Sequence, residues 1–308
     1  FPSGLLFDSR GERRPAAHAA DPDPPSHRIT HPGSHQPLEV LVDQTASPGT
    51  GVPLASLWNL RDLGGWTTRE GGEVRRGIVF RSAGLQMLAP GDAAALENLG
   101  IRTVFDLRTQ AEVAAQPDRM PAGATHVGLD ILADATGAGP ARLMAALGDP
   151  VAARDMLAEG KAERMFVDGY RNIVSLPSAR SGYRRLFSDL AAPATTPALV
   201  HCTTGKDRTG WVAAALLMLV GVSDDDVMEE YLLTNEQLVP QLGPVLGAFE
   251  AAGGDPDLLL PVVGVRPEYL NAALEEMRSR FGTIAGYFTD GLGMDAAAQD
   301  ALRSALVR

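Results

Sequence analysis

Pro197-Ala-Leu-Val-His-Cys-Thr-Thr-Gly-Lys-Asp-Arg-Thr-Gly-Trp211 is the stretch from which the rest of the chain can be read. Ala198 to His201 reads as a short buried strand, and Thr209 to Val220 as a helix. Cys202 to Arg208 is then the turn between them. A loop folded onto a helix N-terminus directs backbone N–H groups into one concavity, which suits an anion. The helix dipole, Lys206 and Arg208 all favour the thiolate form of Cys202. A thiolate beside a bound phosphoryl group is a nucleophile with its electrophile in place. Thr203, Thr204, Gly205, Lys206, Asp207 and Arg208 are the expected phosphate-binding residues. Arg208 offers a planar fork for two phosphoryl oxygens, and Gly205 permits a backbone turn that a side chain would resist.

Two plainer readings compete. A lone buried cysteine is often an inert small hydrophobe, but the strand–turn–helix setting and the two nearby cations argue otherwise. A nucleotide-binding loop requires Ser or Thr directly after its lysine, and Asp207 follows Lys206 here.

His-Cys-x5-Arg-Thr resembles the signature of cysteine-dependent protein tyrosine phosphatases. The fuller form HCTTGKDRTG is similar to a bacterial, atypical tyrosine/phosphoinositide branch, in which Lys-Asp precedes the arginine. Asn59-Leu-Arg-Asp-Leu-Gly-Gly65, Tyr231-Leu-Leu-Thr-Asn235 and Gly264-Val-Arg-Pro-Glu-Tyr-Leu270 extend the resemblance from about residue 57 to the C-terminus.

The resemblance implies a phosphomonoester hydrolase working through a cysteinyl-phosphate on Cys202, with no metal or other cofactor. His201 would orient the loop. Conventional members carry their acid in a Trp-Pro-Asp loop, and no such tripeptide occurs here. In the resembled branch the candidate acid is the aspartate inside the loop, Asp207; Asp130 and Asp134 are the positional alternatives. Lys206 adds a second cation, a feature shared with phosphoinositide phosphatases. Phosphotyrosine proteins, phosphoserine or phosphothreonine proteins, and phosphoinositides are therefore all expected as substrates. Thr203 and Thr204 depart from the branch, which has an aromatic and a small residue there, and this weakens strict phosphotyrosine preference. A phosphate-binding module with weak chemistry is the alternative, although Cys202, Arg208 and Asp207 are all present.

Composition narrows the function classes. The formal charge of −11 opposes general nucleic-acid binding. One cysteine excludes an internal disulfide and any thiol relay. The longest apolar run, Trp211 to Val222, is too short for a membrane span and suits a buried helix. No charged-then-apolar leader is evident. The expectation is a cytoplasmic protein, or one secreted without such a leader, monomeric, with at most transient membrane-surface contact.

Along the chain, residues 1–50 read as a disordered leader. Seven prolines and four of the six histidines fall by Pro37 with almost no apolar periodicity. His18, His27, His31 and His35 are spaced too irregularly for a closed metal site. Residues 51–308 read as one phosphatase domain. Strands are expected over 77–82, 101–108 and 126–131, with a capped helix near 92–99. Strands separated by helices predict an α/β fold: a central, largely parallel sheet wrapped by helices, like protein tyrosine phosphatases. The strand before Cys202 should be central, with the site at its C-terminal end. Asp106, Arg108 and Glu112 suit an ion-pair network at a strand end as well as catalysis, and Arg61 and Asp62 are read the same way. Ser223 with Asp224 to Asp226 reads as a helix cap. Residues 236–262, apolar helical pieces broken by Gly and Pro, match the region that forms a helical lid in the resembled branch. Residues 267–281 and 294–307 read as amphipathic helices lying on the sheet's outer face.

Overall fold

The computed structural model describes residues 43–135 and 149–308. Residues 1–42, most of the proline- and histidine-rich leader, and residues 136–148 lie outside those residues.

Five strands form one sheet: β1 (Arg61–Asp62), β2 (Val79–Ser82), β3 (Thr103–Asp106), β4 (Thr125–Gly128) and β5 (Ala198–His201). Their order is β1-β2-β5-β3-β4. β5 pairs in parallel with both β2 and β3, and only β1 at the edge runs antiparallel. The expected strand is thus central in a largely parallel sheet. Ser82, His201 and Asp106 stand side by side at its C-terminal edge.

The two-residue pleat decides which side chains go where. Val79, Phe105, Ala198 and Val200 enter one core, while Phe80, Val104 and Leu199 enter another. Because both faces are buried, the interior strands place apolar residues side by side, Val79-Phe80, Val104-Phe105 and Leu199-Val200, rather than alternating them with polar ones.

Helix α1 (Pro90–Asn98) covers the smaller core with Ala95 and Leu96. It carries no side-chain cap of its own, contrary to expectation. Ser56, from a distant segment, supplies one: its hydroxyl accepts from the Ala89 N–H at 2.8 Å. Asp92 accepts from the Ser56 N–H at 2.7 Å instead of capping its helix. Helix α2 (Gln110–Ala115) begins with a capping box, Thr109 and Glu112 each binding the other's backbone N–H.

The larger core is built by α3 (Pro150–Leu157), α4 (Lys161–Ser175), α5 (Pro177–Leu190) and α6 (Arg208–Leu219). α6 has every residue buried except Met218, which explains its unbroken apolar run. It is followed by α7 (Asp224–Leu238), capped by Ser223 as expected. Then come α8 (Gly243–Ala251), α9 (Leu260–Val263), α10 (Pro267–Phe281) and α11 (Ala296–Leu306). α10 packs mainly on α4, and α11 on α5, so these two lie one layer farther out than the expected position on the sheet.

Candidate active site

The Cys202–Arg208 loop leaves the central strand and enters α6 one residue earlier than the apolar pattern suggested. Gly205 makes the turn possible: its φ is +69°, and a Cβ there would lie 2.1 Å from the Ser82 carbonyl oxygen. The carbonyls of Thr203, Thr204 and Gly205 have partners on the loop's outer side. Thr203 O accepts from Gly84 N–H at 3.1 Å. Gly205 O accepts from Asn59 Nδ2 at 3.0 Å and from Arg81 Nη2 at 2.6 Å, and Asn59 also reaches Thr204 O. Among the described residues, no hydrogen bond is donated by the N–H groups of Thr203 to Asp207. Carbonyls drawn outward and donors left unpaired are the arrangement that binds a phosphoryl group.

A buried ion cluster holds that outer side. Glu230 accepts from Arg61 Nε and from Arg81 Nη1, both at 2.7 Å, with all three side chains at most 1% exposed. Arg61 also donates to Glu230 O, to Thr234 Oγ1 and to Asn59 Oδ1. Burial, aided by the like charge of Arg81, pulls Arg61 down to about 10. Burial would raise Glu230, but the two arginines outweigh it and hold the carboxyl below its ordinary value. Asp62, in contrast, fixes a turn by accepting from the N–H groups of Gly64 and Gly77.

On the other side Arg208 forms a two-pronged pair with Glu112, Nη1 to Oε2 and Nη2 to Oε1, each 2.7 Å. Nη2 also donates to Thr203 Oγ1 at 3.1 Å, and Nη1 to Leu107 O at 3.3 Å. Burial alone would raise Glu112, yet Arg208 brings it down to about 2. The Asp106–Arg108–Glu112 group expected near the site is therefore divided. Glu112 serves the loop arginine, whereas Arg108 pairs with Asp106 and Asp118, 2.8 Å from each.

Lys206 and Asp207 turn toward α4. Lys206 Nζ donates to Asp207 Oδ1 at 2.9 Å and lies 4.1 Å from the Phe166 ring centre. Tyr170 donates its hydroxyl to the same oxygen at 2.9 Å, and its oxygen is 2.6 Å from that of Tyr231. Phe166 in turn stacks on Tyr269 of α10.

His201 Nδ1 lies 3.2 Å from Cys202 O, and Nε2 lies 3.1 Å from Asp118 Oδ2. Oxygen and nitrogen atoms of Asp106, Asp118 and His201 converge closely enough for a metal. The Arg108 guanidinium already bridges the two carboxylates, however, and supplies the positive charge there. Burial acts to raise Asp106, but Arg108's hydrogen bonds outweigh it and hold this carboxyl well below its usual range.

The positional alternatives for an acid have other partners. Asp130 accepts from the N–H groups of Gln110 and Leu132, both at 3.1 Å. Asp134 accepts from Ser178 N–H at 2.6 Å, at the start of α5. Among the described residues neither is hydrogen-bonded to the Cys202–Arg208 loop.

Glu230, Arg81, Phe166 and Tyr170 were not singled out from sequence. Glu230 carried a usable signal: it sits among Val227, Tyr231, Thr234 and Leu238 on the buried stripe of α7. A carboxylate on such a stripe requires cationic partners. Arg81, within a four-residue strand buried throughout, gives the matching signal. Tyr170 carries no comparable signal.

A cysteine at the C-terminal end of a central parallel strand, followed by a loop of unpaired backbone N–H groups and an arginine, is the arrangement of a tyrosine phosphatase fold. The chain belongs to the tyrosine phosphatase family, whose model matches residues 52–308. It is 32% identical to the triple specificity protein phosphatase PtpB of Mycobacterium tuberculosis, over 82% of this chain and 98% of that one. A Cupriavidus necator relative is 28% identical over 78% of this chain and 83% of its own. A tyrosine-protein phosphatase of Nostoc commune is 28% identical over 67% of each chain. The chain is thus a protein tyrosine phosphatase similar to PtpB, acting on phosphorylated substrates. No helix among the described residues is long and apolar enough to cross a membrane.

Proposed function

We propose that the protein hydrolyses phosphotyrosine, phosphoserine and phosphothreonine esters in proteins, and phosphoinositides, through a cysteinyl-phosphate on Cys202. The observation that carries this reading is the loop itself, with its carbonyls bound from behind and its N–H groups unpaired around the cysteine. The triple specificity in PtpB's name supports a correspondingly broad substrate range here.

In the first step the Cys202 Sγ attacks phosphorus in line. The S–P bond forms as the P–O bond to the leaving group breaks, and that bond's electron pair goes to the departing oxygen. Thr203, Thr204, Gly205, Lys206 and Asp207 supply backbone donors, and Arg208 stabilises the equatorial oxygens. Asp207 gives its proton to the departing oxygen, then takes one from the water that hydrolyses the cysteinyl-phosphate. Asp207 is preferred over Asp130 because it belongs to the loop, while Asp130 is bound at the start of α2. Lys206 adds positive charge without need of a metal or other cofactor.

Residues 51–308 act as one catalytic domain and as a monomer, with membrane-surface contact limited to encounters with lipid substrate. Residues 236–262 serve as its cover. α9 packs on α4, the helix that carries Phe166 and Tyr170, and Gly253 at φ +85° breaks the cover's helices. Excising residues 240–258 should then speed peroxide inactivation of Cys202; a folded variant with an unchanged rate removes the cover from this account.

The experiment compares wild type, Cys202→Ser and Asp207→Asn on p-nitrophenyl phosphate, phosphopeptides and phosphoinositides, with a chelator present. Cys202→Ser should lose turnover and keep binding of inorganic phosphate. A serine variant with a near-normal rate contradicts the reading. So does a wild-type enzyme that the chelator silences.

A further inference from the structure

Asp207 is held by a hydroxyl chain that no part of the mechanism above requires. Tyr170, on α4, donates to Asp207 Oδ1 at 2.9 Å, and its oxygen lies 2.6 Å from the hydroxyl of Tyr231 on α7. Both phenols are buried, at 1% and 0% exposure. The Asp207 side chain is 26% exposed, although Lys206, its other partner on Oδ1, is 5% exposed. The carboxyl thus has a covered oxygen with two donors. Among the described residues Oδ2 has no hydrogen-bond partner.

The direction of the chain follows from its end. An ionised carboxylate only accepts, so Tyr170 donates to it. Tyr170 has then used its one proton, and the short contact with Tyr231 is filled by the Tyr231 O–H. Burial first, and then the nearby Asp207 charge, hold both phenols well above the ordinary phenol range. Neither becomes an anion that would repel the carboxylate, so the donors stay donors.

We propose that Tyr170 is the positioning residue for the general acid: by donating to Asp207 Oδ1 it reserves that oxygen as an acceptor and places the acid's proton on Oδ2. In the step it serves, the Oδ2–H bond breaks as the P–O bond of the ester breaks. The proton goes to the leaving oxygen, and Oδ1 keeps the Tyr170 hydrogen bond throughout. Lys206 cannot replace this function, because its ammonium is drawn to an arriving phosphoryl dianion. Tyr231 is the outer member that holds Tyr170 in the donating orientation.

The proposal rests on the assignment of Asp207 as acid, and its test separates the two. A general acid matters most when the leaving group is a poor one. The readout is the ratio of kcat/KM for p-nitrophenyl phosphate to that for phenyl phosphate, a pair with good and poor leaving groups. Asp207→Asn should raise this ratio on the order of a hundredfold, within the usual range for acid catalysis. Tyr170→Phe, which removes one oxygen atom, should raise it about tenfold, a part of the full acid-catalytic effect. Tyr231→Phe, which keeps the Tyr170–Asp207 bond, should move it in the same direction by less. A purely structural role would lower both rates together and leave the ratio where it was. If Asp207→Asn leaves the ratio unchanged, the acid assignment fails and the positioning role falls with it. If Asp207→Asn raises the ratio and Tyr170→Phe does not, this inference alone is overturned. Should Tyr170→Phe fail to fold, Tyr231→Phe decides: an unchanged ratio overturns the proposal, and a raised one supports it.

Discussion

Two glutamates hold arginines beside the same loop, and they do so in opposite ways. Glu230 is closed off. Arg61 and Arg81 take its two oxygens, and those arginines carry the restraint through to Asn59 and Gly205. Glu112 is open by comparison, 18% exposed, with Arg208 at 9%. Its pair uses both terminal nitrogens of Arg208, so gripping a phosphoryl group through those nitrogens requires the arginine to yield a bond. The first pair shapes the loop and stays shut. The second holds the arginine to which the proposed mechanism assigns the phosphoryl oxygens. Desolvation accounts for the difference: a fully buried ion is held in place by the cost of leaving it unpaired, while a pair at a pocket wall can exchange partners.

Glu230→Gln should break the comparison most strongly. It leaves two buried arginines with a neutral partner, and removing one member of a buried ion pair costs roughly 3–5 kcal/mol. Denaturant unfolding should show that loss, and fluorescence-monitored phosphate binding should weaken with it. A variant as stable as wild type would mean that the closed cluster does not hold the fold. Arg208→Lys should do the reverse. It keeps the charge but loses the fork, so turnover should fall on the order of a hundredfold to a thousandfold. Its unfolding midpoint should move little. A loss of tenfold or less would place Arg208 outside the chemistry.

Glu112→Gln is the gentlest change and sharpens the comparison through pH. The Glu112 carboxyl falls from 4.5 to about 2 on folding. A carboxylate whose folded value is depressed contributes stability above its unfolded value and loses it as the pH falls toward the folded one. The stability gap between wild type and Glu112→Gln should therefore be constant above about pH 5 and close between pH 4.5 and about 2. Because the pair is partly exposed, the gap at neutral pH should be on the order of 1 kcal/mol. Thermal unfolding across that pH range measures it, and a gap independent of pH would contradict the pairing.

What could be read in advance divides along the same line. The central strand, the turn and the apolar helix after it are local features, set by patterning over fifteen residues, and they stand as expected. The strands expected over 77–82 and 101–108 are legible because a parallel interior strand has adjacent apolar residues at its centre, Val79-Phe80 and Val104-Phe105. Partners that meet across the fold were not legible. Asn235 accepts from Val265 N–H and donates to Val265 O. That contact ties the 231–235 and 264–270 segments to each other, but no spacing rule announces it. Ser56 caps α1 from 33 residues away, and Tyr170 reaches Asp207 across 37. Glu112 was seen as part of an ion network, yet whether it would meet Arg108 or Arg208 depended on how α2 docks.

The central claim is that Cys202 carries the phosphoryl group between the two steps. Rapid acid quench of a single turnover with a phosphotyrosine peptide, followed by mass analysis of the peptide containing Cys202, tests it directly. The account predicts one phosphoryl group bound through sulfur at Cys202, formed and lost within the turnover. It also predicts longer persistence of that group in Asp207→Asn, which lacks the base for the second step. Product release with no such adduct at any quench time, or an adduct on another residue, would contradict it.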